Sequence, residues 1–140
     1  MGCCSFQKFL MSSDSLHVYE VSKLIFTSDK ARLLPLLEYI SRFSPFHRRI
    51  IIIDKIMGNG AALLSVLANC QEVYSPLGSQ LALSTLDKYH ISYHITNVVP
   101  YIRKTPGGEM CPMEKLSLDK GPEEFYAAIT NIINARDRKM

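Results

Sequence analysis

Cysteine is scarce in this chain and poorly spaced for covalent or metal work. The four cysteines, at positions 3, 4, 70 and 111, form no Cys-x-x-Cys pair and no spacing that reads as a disulfide framework. A stapled scaffold is excluded, and a reducing, cytoplasmic setting is expected. Long apolar runs are also missing. Nothing approaches the ~18 residues of a membrane-spanning helix, and the N-terminus has no apolar signal core, so neither a membrane nor an export route is expected. The start Met1-Gly2-Cys3-Cys4-Ser5-Phe6 departs from the myristoylation pattern at Phe6, where Ser or Thr is wanted, and is read as an unmodified terminus. Charge of one sign is nearly balanced: 16 Lys and Arg against 13 Asp and Glu leave +3. The excess is scattered apart from His47-Arg48-Arg49 and Arg136-Asp137-Arg138-Lys139, which makes nucleic acid an unlikely partner by composition. There is no internal repeat and no low-complexity tract.

What is present is enough apolar residue for a core, 47% of 140 residues. The reading is one domain over residues 1–140, with 1–15 a poorly defined segment of one short helical turn and a loop. The centre of the chain is the run Arg49-Ile50-Ile51-Ile52-Ile53-Asp54, a β-branched strand buried on both faces, which passes through Gly58-Asn59-Gly60 into a helix. Before it, Leu16 to Glu20 and Lys23 to Thr27 read as a hairpin around Val21-Ser22. A helix follows, capped by Ser28 or Asp29 and carrying Leu33, Leu36, Leu37, Ile40 and Phe43, with Pro35 limiting its start and Ser44-Pro45-Phe46-His47 ending it.

After the central strand, Leu63, Val66, Leu67 and Cys70 mark a second helix. Glu72 to Ser75 is a short strand closed by Pro76-Leu77-Gly78, Ser79 caps a third helix, and Ile91 to Val99 is a strand. Single helices between the last strands imply parallel neighbours with right-handed crossovers. The fold class is therefore α/β: three α-β-α layers around a mixed five-stranded sheet with an antiparallel hairpin at one side. Gly121-Pro122-Glu123-Glu124 opens a C-terminal helix with Phe125, Ala128, Ile129, Ile132 and Ile133 on one face. The expected core includes Ile51, Ile53, Leu63, Leu67, Leu83, Leu86, Ile129 and Ile132.

The order of elements resembles the cytidine deaminase-like fold. Asp54-Lys55-Ile56-Met57-Gly58-x-x-Ala61-Ala62, Val99-Pro100-Tyr101-Ile102 and Cys111-Pro112-Met113-Glu114 resemble a small prokaryotic family known as a domain of unknown function. The likeness spans roughly residues 16–135 and implies the deaminase-like sheet sandwiched by helices, without an established reaction. Zinc deamination needs a His or Cys ligand, a Glu two residues on, and a Pro-Cys-x-x-Cys pair at another helix start. Here those starts read Asn59-Gly60-Ala61-Ala62 and Pro76-Leu77-Gly78-Ser79-Gln80, and Cys70-Gln71-Glu72 sits at the wrong end of its helix. No metal ligand set and no cofactor is expected.

What remains is a crevice where two helices begin at the carboxyl ends of adjacent strands. Gly58, Asn59 and Gly60 would offer backbone N–H groups to a small anionic or nucleotide-like molecule, with Lys55 as countercharge and Asp54 as acceptor. On that reading a methyl group at Gly60 leaves stability unchanged or raised. The other candidate is a thiol: Cys111 precedes Pro112 at a helix start, which favours thiolate, and Glu114 fits the return half of a capping box as its helper, with Arg103 or Lys104 adding charge. The four histidines receive no role. A binding module, an enzyme using Cys111 and Glu114, and a non-catalytic interaction subunit all remain open, as does a homo-oligomer.

Overall fold

A computed structural model describes residues 2–44 and 48–138. Met1 of the acylation-like start, and Pro45, Phe46 and His47 at the expected end of the first long helix, lie outside the described residues. Strands β1 (Leu16–Glu20) and β2 (Lys23–Ser28) form the antiparallel hairpin, and β1 is also antiparallel to β3 (Ile50–Asp54). β3 runs parallel to β4 (Cys70–Ser79), and β4 parallel to β5 (Ser92–Val99). The sheet order is β2-β1-β3-β4-β5. The mixed five-stranded sheet expected from the sequence is thus what forms. Its hairpin turns through Val21 at φ 59°, a left-handed conformation that a β-branched residue seldom takes.

Among the described residues, six helices accompany the strands: α1 (Gly2–Met11), α2 (Leu34–Phe43), α3 (Asn59–Leu67), α4 (Gln80–Lys88), α5 (Pro112–Ser117) and α6 (Pro122–Arg138). The alternation of a β-strand divides β3 between two cores. Ile50 and Ile52 join Leu16, Val18 and Val73 under Leu36 of α2, Leu64 of α3, Leu86 of α4 and Phe125 of α6. Ile51 and Ile53 point the other way, with Tyr19, onto Phe9 of α1. Three α-β-α layers result, one of them made by α1 alone. Of the expected core, Ile51, Ile53, Leu63, Leu86 and Ile129 are buried, and Leu67 packs at the core's margin. Leu83 and Ile132 are half-buried.

Three local readings are corrected. Residues 2–11 form a full helix rather than a turn, because Phe6 and Phe9 dock on the sheet and packing stabilises a segment with weak intrinsic propensity. α2 begins without a side-chain cap: its N-cap is Leu33, Pro35 lies in the first turn, and Ser28 instead ends β2, where its Oγ accepts from Lys30 N at 3.2 Å. Cys70 opens β4 instead of closing α3, and β4 runs through Pro76 to Ser79. The proline is tolerated because β3 has already ended at Asp54. Alongside Pro76 no β3 carbonyl waits for an N–H, and contact resumes at the Met57–Gly78 bridge.

Candidate functional site

β3 delivers the chain to Gly58, the N-cap of α3, whose φ of −81° is open to any residue. The first N–H groups of α3 have no partner within the helix and attract an acceptor. The acceptor is Glu114 of α5. Its Oε1 receives the Asn59 N–H at 2.6 Å, and its Oε2 receives the Ile102 N–H at 2.7 Å. Glu114 is 2% exposed. The side chain of Asn59 extends the network: Nδ2 donates to Ser117 Oγ at 3.0 Å, and Oδ1 accepts from Thr85 Oγ1 of α4. Ser117 Oγ in turn donates to Glu114 O at 2.6 Å. Glu114 and Asn59 together therefore tie the turn after β3 to α4, α5 and the loop after β5.

The expectation that Asn59 presents a free N–H to a ligand is corrected, because that donor is taken by the chain's own carboxylate. The two glycines make room for the chain as well. A Cβ on Gly58 would stand 3.1 Å from both Glu114 Oε1 and Ile102 Cγ1. On Gly60 it would stand 2.7 Å from Cζ of the fully buried Phe125 ring and 3.3 Å from Leu33 Cδ1. Gly60 is the point where α3 and α6 pack closely, so the tolerance expected for a methyl group there is also corrected. Gly60→Ala should lower the unfolding free energy by about 1–3 kcal/mol, as overpacking does. Phe125→Leu in the same chain should recover part of that loss. Urea denaturation of the two variants checks this, and an unchanged midpoint in Gly60→Ala would show that the ring yields freely.

Asp54 closes β3 and is buried, on the same side of the strand as Ile52 and facing the layer that contains α3. Burial pushes its carboxyl from the ordinary 3.8 up to about 7, against the opposing pull of the Ile56 and Lys55 backbone N–H groups. Lys55 is exposed; its N–H donates to Ser15 O at 3.1 Å. The turn thus separates the two residues that were expected to act as acceptor and countercharge: one faces the core, the other solvent.

Cys111 is the half-exposed N-cap of α5 and makes no side-chain cap bond. Its N–H donates to Ile102 O at 2.8 Å, so the capping box expected between it and Glu114 does not form. Glu114 is aimed at Asn59 and Ile102. Arg103 stays within its own loop, donating to Gly108 O at 2.8 Å and lying 4.8 Å over the Tyr101 ring. Cys70 is buried, and burial drives its thiol up to about 12. His17 and His94 pair with Asp14 and Glu72, each at 2.8 Å. Among the described residues, no group of three His, Cys, Asp or Glu side chains is placed to hold a metal ion, and no helix is long and apolar enough to cross a membrane.

A family model described as a domain of unknown function, DUF1893, matches residues 5–133. The chain belongs to the DUF1893 family. The crystal structure of a DUF1893 family protein from Thermotoga maritima superposes on it with a TM-score of 0.82 at 27% sequence identity, covering 91% of this chain and 86% of that one. No curated protein matches. In this DUF1893 chain, sequence reasoning missed the partnership of Asn59, Thr85, Glu114 and Ser117. Asn59 and Glu114 stand 55 residues apart, and no local period links them.

Proposed function

We propose that this DUF1893 chain is a cytidine deaminase-like domain that carries out no zinc chemistry and serves as a non-catalytic interaction subunit, its crevice closed by its own Glu114. The sheet order and the start of α3 and α4 at the ends of the adjacent parallel strands β3 and β4 support the deaminase-like reading. At those two helix starts stand Gly58-Asn59-Gly60 and Ser79-Gln80, with no thiol, imidazole or carboxylate of their own to hold zinc or shuttle a proton. The donor set does not fit the metal. The observation that carries the proposal is the buried Glu114 carboxylate on the Asn59 and Ile102 N–H groups, where a bound anion would otherwise receive them.

An anionic or nucleotide-like molecule at Asp54, Lys55, Gly58, Asn59 and Gly60 would have to displace that carboxylate. A thermal-shift panel of nucleoside mono-, di- and triphosphates and inorganic phosphate is therefore expected to leave the melting temperature of the wild type unchanged, and elemental analysis to find no stoichiometric zinc. A nucleotide that raises the melting temperature in a concentration-dependent way, or one zinc held per chain, would replace this proposal with a ligand site or a metal site.

A further inference from the structure

We infer that the free edge of β5 is a self-association surface and that two copies of the chain pair through it, antiparallel about a two-fold axis, to make one continuous sheet. The inference holds whether or not the crevice binds a ligand. It begins with the two ends of the sheet, which are built differently. β2 is the shorter edge; it carries Lys23, and its pairing with β1 is broken by a register shift between Val18 and Tyr19. Short length, lysine and irregular pairing are features that keep an edge from recruiting another strand.

β5 is longer and carries no lysine. It is eight residues long, and its register with β4 keeps one offset from Glu72↔Ser92 to Ser79↔Val99, with the Pro76 and Thr96 pair missing from the ladder. The strand Ser92-Tyr93-His94-Ile95-Thr96-Asn97-Val98-Val99 contains no Lys, Arg, Asp, Glu or Pro. Proline comes only at position 100, after the strand has ended. His94 is already occupied within the sheet: it pairs with Glu72 and stacks on Tyr74 at 4.4 Å. Val98 is left 41% exposed. A row of backbone donors and acceptors on a long, uncharged strand is a template for another strand.

The strand also fits itself. A two-fold axis perpendicular to the sheet keeps the faces covered by α2, α3, α4 and α6 in both copies on one side, so opposed residues must come from the same face. With Thr96 facing Thr96 of the second copy, Ile95 meets Asn97, Tyr93 meets Val99, and His94 meets the exposed Val98. Every opposed pair is free of formal charge, although the chain as a whole carries +3, so like-charge repulsion is absent at the seam. An isologous pair closes on itself and needs no further partner.

The test uses the full chain at micromolar concentration. Light scattering after size exclusion should give twice the 15.8 kDa chain mass for the wild type. The double variant Thr96→Lys/Val98→Lys alters two side chains exposed in the single copy and places positive charge across the seam. It should run at the single-chain mass and still unfold cooperatively, at a melting temperature that no longer rises with protein concentration. Amide hydrogen exchange on the wild type provides a check that does not depend on the variant's folding: the outward N–H groups of β5 should be protected, and less so on dilution. A wild type at single-chain mass, a variant that stays dimeric, or freely exchanging β5 amides in a wild-type dimer would each overturn the inference.

Discussion

Replacing Glu114 with alanine is expected to remove about 3–5 kcal/mol of stability, since one buried and one half-buried backbone donor lose a charged acceptor together. The carboxylate is shared between the buried Asn59 N–H, which has no route to water without the turn opening, and the half-buried Ile102 N–H. The amide variant separates hydrogen bonding from mere bulk. In Glu114→Gln one donor keeps a carbonyl oxygen and the other faces an NH₂ group, so the loss should be intermediate, about 1–3 kcal/mol. Both variants can be followed by urea denaturation, with hydrogen exchange at Asn59 and Ile102 as a local readout. If Glu114→Ala unfolds at the wild-type midpoint, the carboxylate does not hold the crevice shut.

Stability should also depend on pH in the direction opposite to an ordinary ion-paired acid. Asp54 titrates near 3.8 when the chain is unfolded and near 7 when it is buried in the fold. The folded state therefore holds the proton more tightly. The stabilisation this gives is complete below 3.8 and is lost as the pH rises through 7. Between about pH 5 and pH 8 the wild type should lose about 2–3 kcal/mol from this group alone. Asp54→Asn keeps the shape and an acceptor for the Ile56 and Lys55 N–H groups but has no charge to bury. It should flatten the profile and exceed the wild type at about pH 8 by about 3–4 kcal/mol. Parallel pH profiles for the two proteins would mean that the Asp54 carboxyl ionises in the fold as easily as outside it.

The parts of this fold that could be read from residues alone are those with a local cause. The unbroken β-branched run of β3, the Ser79 cap of α4, whose Oγ accepts Ala82 N at 3.1 Å, and the glycine, proline and acid that open α6 each act within a few residues. Pro76 misled because the rule against proline inside a sheet assumes a neighbour on both sides, and here β3 stops short. Gly60 misled for a different reason. A glycine that admits a ligand and one that admits a phenyl ring look the same in sequence, and only the approach of Phe125 from 65 positions away distinguishes them. Glu114 was singled out, but as a helper to its near neighbour Cys111, because local spacing was the only evidence of a partner. Its function as the anion of the α3 start depends on a contact that chain order does not suggest.

The layer formed by α1 alone has a consequence for material made from this gene product. Deleting residues 1–11 would remove Phe6 and Phe9 and uncover Tyr19, Ile51 and Ile53 on the broad face of the sheet. A chain so shortened would have an uncovered face for sheets to stack on and, whenever the β5 pair comes apart, an edge for strands to add to, the two directions in which a cross-β fibril grows. Solubility on storage would then depend on eleven residues that look dispensable by position.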